Sequence, residues 1–368
     1  MERTAEIEMP AGMGNSPPGL AAKAALSSSF KKRGIAVAIM SGASYGMYTA
    51  FITLAMTMGV WSVWYGDNSG LSDFSKLFLL GALGAAITDT CSALWAVLIT
   101  IYKGKLSDFF RCIATKPGAI LVGAAVIGGP LASTSYVLGL QSAGSIIVPI
   151  SALCPAIGTI LSRIMFKQQL TRRILLGIFI CFVASAMIGS TGLAADAPPN
   201  LFLGLMFGFL AAFGWGLEGC VGGYATSMID PEIGITIRQM TSGLSNLIIL
   251  VPLFAFFGGA DTLTMLGTAF TDSVAMPWFL VAGFCAYFAF MLWYKGNAMC
   301  GTALGMSCNG AFSFWGPFFS WIVLGLAFNI PGYALSPIAW LAAVVMVIGI
   351  FIIAVNPLAL FSKKGDAA

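Results

Sequence analysis

The amino-acid sequence predicts an all-α membrane protein with ten transmembrane helices arranged as two inverted five-helix repeats. Three observations predict this fold class. The 368 residues are 58% hydrophobic and only 9% charged, whereas soluble domains carry about 25% charged residues. Ten apolar runs are long enough to cross a bilayer. The order of motifs in the first five runs recurs in the last five.

The N-terminal segment, residues 1–33, precedes the first apolar run. It is rich in Pro, Gly, Ser and Ala and lacks the apolar core of a signal peptide. This composition predicts a flexible cytosolic tail. Lys31, Lys32 and Arg33 end the tail and mark the cytosolic end of the first membrane-spanning helix.

The ten apolar runs have about the ~20 residues that a helix needs to cross the hydrocarbon core. They cover residues 34–60, 77–101, 119–140, 145–166, 174–194, 201–228, 235–257, 277–295, 302–326 and 337–355. The first five runs form a predicted repeat over residues 34–194, and the last five form a second repeat over residues 201–355. Residues 356–368 are predicted to be a C-terminal cytosolic tail.

The basic residues are distributed unevenly over the two ends of these helices. If every run crosses the membrane once, all but one of the 18 Lys and Arg residues lie on the side of the N-terminus, and Lys76 lies on the other side. The loops on that other side carry acids, namely Asp67, Asp73, Asp196, Asp261 and Asp272. The positive-inside rule therefore predicts a protein of the cytoplasmic (inner) membrane with both termini in the cytosol.

Corresponding runs of the two halves carry similar motifs in the same order. SYGMY (44–48) in the first run matches GWGLE (214–218) in the sixth, and Asp89 in the second run lies at a depth similar to that of Asn246 in the seventh. Each half has five helices, an odd number, so the second half must insert with the opposite orientation. Many secondary transporters are built from such inverted repeats, with the substrate site between the halves.

Two prolines also match across the halves, Pro155 in the fourth run and Pro317 in the ninth. A proline within a helix removes a backbone donor and frees a carbonyl one turn earlier. The matched positions predict hinges or cavity-lining kinks. The alternative is that both prolines are packing kinks without a mechanistic role.

The order of these segments resembles the drug/metabolite transporter superfamily over nearly all of residues 34–355. The most specific stretch is LCPAIGTILSRIMFKQQLTRRILLGIFICFVASAMIGS (153–190), which is similar to the end of that family's first repeat. The family usually has a glutamate before the Leu-Thr pair, where this chain has Gln169. The resemblance implies a solute carrier with paired five-helix halves.

Few charged residues lie within or at the ends of the apolar runs. Asp89 and Glu218 lie well inside the second and sixth runs, where a charged carboxylate costs several kcal/mol, so both are candidates for proton or cation binding. The alternative is a structural acid bonded by neighbouring hydroxyl or backbone groups. Arg238 and Lys295 lie near predicted cytosolic helix ends, and we expect both to anchor the helices by reaching toward the interface.

Aromatic residues flank the two acids. Electron-rich ring faces together with a carboxylate would suit an amine or a quaternary ammonium group. The alternative is that these rings belong to the aromatic belts at the membrane interfaces. The predicted substrate-binding residues are Tyr45, Tyr48, Asp89, Trp95, Tyr136, Trp215, Glu218, Asn246, Trp293 and Trp315.

These features predict a secondary active transporter that moves a small organic solute or metabolite, with an amine or other cation as one option, by alternating access. Its partners would be the solute, the lipid bilayer and a coupling proton or sodium ion, without a cofactor, a metal or a nucleic acid. The alternatives are a polytopic membrane enzyme acting on a lipid-linked substrate, and a channel or passive scaffold. The chain has no histidine, which removes the commonest general base and argues against an enzyme.

Overall fold

The structure is a computed structural model that describes residues 17–143, 147–151, 153–167, 171–191, 200–226, 228–334 and 336–354. All regular secondary structure within these ranges is helical, with no strand. The predicted all-α fold class is therefore confirmed.

The described part of the first half contains nine α-helices. They are α1 (Pro17–Ala55), α2 (Gly59–Tyr65), α3 (Leu80–Tyr102), α4 (Leu106–Ile113), α5 (Lys116–Val126), α6 (Thr134–Ala143), α7 (Ile147–Ser151), α8 (Cys154–Phe166) and α9 (Arg172–Thr191). Two π-helical segments continue them. Ser75–Leu79 leads into α3, and Ile127–Ser133 joins α5 to α6.

The described part of the second half contains eight α-helices. They are α10 (Leu201–Ala225), α11 (Pro231–Ser245), α12 (Val251–Gly258), α13 (Thr262–Thr271), α14 (Met276–Cys300), α15 (Thr302–Asn309), α16 (Phe312–Ser320) and α17 (Pro337–Ala354). The π-helical segment Asn246–Leu250 joins α11 to α12, and Trp321–Ala327 follows α16.

Six helical stretches of the described chain are long and apolar enough to cross a membrane. They are Lys32–Ala55, Ser75–Tyr102, Lys116–Ala143, Leu201–Ala225, Pro231–Gly258 and Met276–Cys300, and they correspond to the first, second, third, sixth, seventh and eighth predicted runs. Large apolar side chains on these stretches are exposed, among them Phe202 (76%) and Ile248 (69%), as a lipid-facing surface requires. The helices therefore fit a multi-pass membrane protein.

The N-terminal segment differs from its prediction, because α1 already begins at Pro17. Residues 17–33, expected to belong to a flexible tail, are helical and continuous with the first predicted span. Proline is favoured in the first turn of a helix, and the alanines that follow have the highest helix propensity. The rest of the predicted N-terminal tail and the whole predicted C-terminal tail lie outside the described residues.

The fourth and ninth predicted runs are each broken into shorter helices. In the fourth run α7 ends at Ser151 and α8 begins at Cys154, so Pro155 stands in the first turn of α8 and not in mid-helix as predicted. The first turn tolerates proline because an N–H at that position has no helical partner. In the ninth run α15 ends at Asn309, and Pro317 lies inside α16, as predicted.

Glycines bring the helices into close contact at two places. A Cβ added at Gly46 on α1 would lie 2.4 Å from the backbone carbonyl carbon of Trp315, and one added at Gly204 on α10 would lie 2.3 Å from the Cβ of Ala143. Small residues permit this backbone approach between membrane helices. The contacts hold α1 against α16 and α10 against α6, around the buried region described next.

Candidate functional site

An ion pair is buried between α10 and α11. Glu218 and Arg238 are both fully buried. Arg238 Nε donates to Glu218 Oε1 at 2.8 Å, and Arg238 Nη2 donates to Glu218 Oε2 at 3.3 Å. The Tyr294 hydroxyl on α14 donates to Glu218 Oε1 at 2.9 Å. A buried carboxylate is tolerated only when it is paired and hydrogen-bonded, and these three donors meet that requirement.

Arg238 has further partners inside the bundle. Its Nη1 donates to Gln239 Oε1 at 2.6 Å and its Nη2 to Ser133 Oγ at 3.4 Å, while the guanidinium carbon lies 3.8 Å from the ring centroid of Phe290. The prediction that Arg238 is an interfacial anchor is therefore wrong, because its partners are all inside the protein. Lys295, the other predicted anchor, is exposed.

Asp89 on α3 belongs to the same buried polar region. It is 3% exposed and accepts hydrogen bonds from the Ser242 hydroxyl and, at 3.1 Å, from Asn246 Nδ2. Asn246 Oδ1 in turn accepts from Thr134 Oγ1 at 3.4 Å. Within the described chain Asp89 forms no ion pair with a lysine or arginine. Neutral donors thus hold this second acid. One of them, Ser242, lies one turn along α11 from Arg238, the partner of Glu218.

The π-helical segment Ile127–Ser133 makes room for these groups. A Cβ added at Gly128 would lie 1.8 Å from Glu218 Oε2, and one added at Gly129 would lie 1.7 Å from Ser242 Oγ. Glycine lets this backbone come close to both side chains. Pro130, next in the chain, cannot donate a backbone hydrogen bond, and the Ser133 hydroxyl donates to the Gly128 carbonyl at 2.9 Å.

Tyr45 on α1 is the centre of an aromatic cluster. Its ring centroid lies 5.1 Å from that of Tyr48, 5.8 Å from Tyr136, 5.7 Å from Trp215 and 6.0 Å from Phe290. All four pairs are edge-to-face, an arrangement that ring quadrupoles favour. The structure therefore brings four of the predicted binding residues together, beside the Phe290 ring that contacts Arg238.

A small cavity lies beside this cluster. Its wall consists of Tyr45, Cys154, Trp215, Ala289, Phe290, Trp293, Asn309 and Phe312. About 20 Å³ is open to the centres of water molecules, which is room for about one or two waters. Cys154 begins the helix after the break in the fourth run, and Asn309 ends the helix before the break in the ninth run. Both broken runs therefore contribute to the wall of this cavity.

Three polar atoms of the wall have no hydrogen-bond partner among the described residues. They are the Tyr45 hydroxyl, Trp215 Nε1 and Trp293 Nε1, and the exposed fractions of these side chains are 5%, 3% and 4%. Asn309 differs, because its Nδ2 donates to Ser41 Oγ at 2.6 Å. Buried donors are seldom left unpaired in proteins, so these three side chains of the wall retain unused hydrogen-bonding capacity.

Two predicted binding residues lie elsewhere. Trp95 donates through Nε1 to the Leu280 carbonyl at 3.0 Å. Trp315 stacks on Phe319 with ring centroids 5.6 Å apart. Neither contributes to the cavity wall, because Trp95 is bonded to α14 and Trp315 stacks on a residue of its own helix.

Sequence reasoning missed several members of the site: Arg238, Gln239, Ser242, Tyr294 and the Gly128-Gly129 pair. The signal for Arg238 was present, since it falls inside the seventh predicted run, and two acids in membrane helices call for a buried cation. The others carried no signal, because serine, tyrosine and glycine are common in membrane helices.

Four charged residues, two from the loop after α3 and two from the start of α11, form a loop ion-pair cluster at the α3 C-terminus. Lys103 donates to Glu232 at 2.7 Å, and Lys105 donates to Asp230 at 2.6 Å and to Glu232 at 2.9 Å. The hydrogen bond to Asp230 raises the pKa of Lys105. Partial burial opposes ionisation of Asp230, but the bond from Lys105 outweighs it and lowers the pKa of that carboxyl. The cluster joins the loop after α3 to the start of α11.

Asp272 forms a second link between the two halves. Its carboxylate accepts hydrogen bonds from the N–H groups of Val60, Val274 (2.7 Å) and Ala275 (3.0 Å). Slight burial would raise the pKa of Asp272, but these backbone donors outweigh it and lower the pKa. We call this arrangement the Asp272 cap. It joins the start of α2 to the loop between α13 and α14.

Within the described residues no group of three or more His, Cys, Asp or Glu side chains is placed to hold a metal ion. No family model matches the sequence, and no curated protein matches it significantly. One solved crystal structure, described only as that of a protein, is similar to this chain. Its TM-score is 0.56 at 14% sequence identity, over 86% of this chain and 96% of the other. This similarity supports a shared helical fold.

Proposed function

We propose that this chain is a secondary transporter that moves a small solute across the cytoplasmic membrane by alternating access. Ten helices in two inverted five-helix halves, as in the drug/metabolite transporter superfamily, would enclose the substrate site, with both termini in the cytosol. The observation that carries the proposal is the buried group of Asp89, Glu218 and Arg238. Ionisable side chains within membrane helices are retained mainly for function, because their burial is costly.

The pattern of helix contacts supports two equivalent halves. In the proposed repeat α1 corresponds to α10, α6 to α14 and α8 to α16. Exchanging the halves converts the α1–α14 contact into α10–α6, and the α1–α16 contact into α10–α8, and all four contacts occur. The contacts α3–α11 and α9–α17 map onto themselves and also occur. A pseudo-two-fold axis in the membrane plane would produce this pattern.

The charges of Asp89, Glu218 and Arg238 support coupling of transport to an ion. Asp89 comes from the first half, while Glu218 and Arg238 come from the second. Two carboxylates and one guanidinium leave one negative charge in excess when all three are ionised. A proton or a monovalent cation would balance this charge, and Asp89 is the acid that lacks an ion pair among the described residues. We therefore propose Asp89 as the coupling site and Glu218 with Arg238 as the structural pair beside it.

The closed ends of the bundle support alternating access. The loop ion-pair cluster and the Asp272 cap each link the two halves, and in the proposed topology they lie on opposite sides of the membrane. In the proposed repeat, the loop after α3 corresponds to the loop between α13 and α14, and the start of α11 corresponds to the start of α2. Exchanging the halves therefore converts the loop ion-pair cluster into the Asp272 cap. Opening toward either side would therefore release one link and keep the other.

A transport assay tests the proposal. Purified protein is screened for thermal stabilisation by amines, amino acids, sugars and sulfonates at two pH values, and the best stabiliser is then used as a radiolabelled probe in proteoliposomes. We expect saturable counterflow that Asp89→Asn reduces at least tenfold and Lys295→Gln, an exposed control, leaves unchanged. Flux that does not saturate would indicate a channel, and conversion of a lipid-linked substrate without flux would indicate an enzyme. Absence of both stabilisation and flux would also contradict the proposal.

A further inference from the structure

The three unpaired donors of the cavity wall have a consequence for the substrate. Trp215 Nε1 and Trp293 Nε1 can only donate hydrogen bonds, and the Tyr45 hydroxyl is a third donor. Each is buried and has no partner within the described chain. Leaving a buried donor unsatisfied costs about 1–3 kcal/mol. A ligand that supplies acceptor oxygens would recover this free energy, whereas an ammonium group, which has no acceptor, would leave both indole N–H groups unsatisfied.

Neither buried acid is placed to bind a cationic ligand in the cavity. Both acids are engaged elsewhere, Glu218 by Arg238 and Tyr294 and Asp89 by Ser242 and Asn246, and neither acid belongs to the cavity wall. The ring of Phe290, which does belong to the wall, already contacts the Arg238 guanidinium.

We propose that the cavity binds the acceptor-bearing end of a small solute without a positive charge, such as a carboxylate or an amide, through Tyr45, Trp215 and Trp293. The proposal rests on the proposed transport function and names its substrate class. It replaces the amine that the aromatic residues and acids had suggested from the sequence. The cavity holds only about one or two waters, so a solute must enter when the surrounding helices separate.

The test uses three probes with the same ring and different polar groups: cyclohexanecarboxylate, cyclohexanecarboxamide and cyclohexylmethylamine. Binding is measured by thermal shift on the full-length protein in lipid nanodiscs at pH 7. We expect the carboxylate and the amide to stabilise the protein and the amine not to do so. Trp215→Phe and Trp293→Phe should each weaken binding about five- to tenfold, the effect of one lost hydrogen bond.

Two controls keep the test decisive. Trp340→Phe changes an indole that is 45% exposed and should leave binding unchanged. If a cavity variant fails to fold, Tyr45→Phe removes a single oxygen and gives the same comparison. Stabilisation by the amine alone would overturn the proposal, and so would no stabilisation by any probe, which would mean that the cavity holds water only.

The outcomes also separate the substrate class from the transport function. Counterflow of the amine would retain the transporter and exclude the acceptor-bearing substrate. Binding of the carboxylate or amide without any flux would retain the binding site and exclude the transporter.

Discussion

Arg238 and Glu218 form an ion pair from which water is excluded, and its energetics differ from those of a surface pair. Removing one partner leaves the other charge buried and unpaired, which costs about 3–5 kcal/mol. The exposed pair of Asp108 and Arg111 should contribute only about 0–1 kcal/mol. The two pairs therefore offer a direct comparison within one chain.

Replacing Arg238 with Met should lower the thermal midpoint far more than replacing Asp108 with Asn. The double variant Arg238→Met/Glu218→Gln should recover part of the loss, because it leaves no unpaired charge in the bundle. Thermal unfolding in detergent measures all four proteins. If Arg238→Met is no more harmful than Asp108→Asn, the buried pair does not exist as described.

The backbone at Gly128 sets how closely the third predicted span approaches Glu218. A methyl group there would overlap the carboxylate, since the added Cβ lies 1.8 Å from Glu218 Oε2. Gly128→Ala should therefore destabilise the protein by about 1–3 kcal/mol. Gly123→Ala on the same helix is the matched control, because no atom lies within 4 Å of its added Cβ. Equal thermal midpoints for the two variants would refute the close approach.

At the scale of helices, the Asp272 cap fixes where α14 begins. Its carboxylate bonds two N–H groups that precede the first turn of α14 and one at the start of α2. Hydrogen bonds to a charged acceptor contribute about 1.5–3 kcal/mol when they are well formed. The cap thus connects two elements far apart in the chain through one side chain.

The Asp272 cap predicts a specific pH dependence. The pKa of Asp272 is lowered in the folded protein, so its stabilisation is present above the pKa of the unfolded chain, ~3.9. That stabilisation is lost as the pH falls through the lower native value. Asp272→Asn should lower the thermal midpoint at pH 7, and the difference from wild type should shrink at about pH 3. Asp67→Asn, at an exposed loop position, serves as the control, and a difference that is constant with pH would count against the cap.

At the scale of the whole molecule, the two links between the halves should control access to the cavity. Cys154 lies in the cavity wall and is buried, so in a protein that keeps only this cysteine it reports opening. Lys105→Glu weakens the loop ion-pair cluster and should increase labelling of Cys154 by an impermeant maleimide from the side of that cluster, which is the cytosolic side in the proposed topology. The increase should be about fivefold for a shift of ~1 kcal/mol. Asp272→Asn should increase labelling from the opposite side.

Labelling in sealed vesicles of known orientation measures this effect. Asp108→Asn carries a charge change in the same loop region outside the cluster, and it should leave labelling at the wild-type level on both sides. If Lys105→Glu and Asp272→Asn increase labelling from the same side, the two links do not close opposite ends of the bundle.

The extent of sequence-based prediction differs between the helices and the site. Hydropathy located the six membrane-length helices, because transfer into lipid depends on the composition of each segment by itself. Proline suggested irregularity in the fourth and ninth runs, yet the break before Cys154 and the place of Pro155 after it required the structure. Asp89 and Glu218 stood out in the sequence because a charged carboxylate within a membrane helix is costly whichever way its side chain points.

What the sequence by itself determined is therefore the all-helical character of the chain, the segments that are long and apolar enough to cross a membrane, and the acids that need explanation. The tertiary structure decided that Arg238 turns inward to Glu218, that Trp293 joins the cavity while Trp95 and Trp315 do not, and that Gly128 admits a carboxylate. The physical reason is that helix formation depends on neighbours within a few residues. The direction in which a side chain faces depends instead on helix rotation and on partners up to hundreds of residues away, to which local patterns are insensitive.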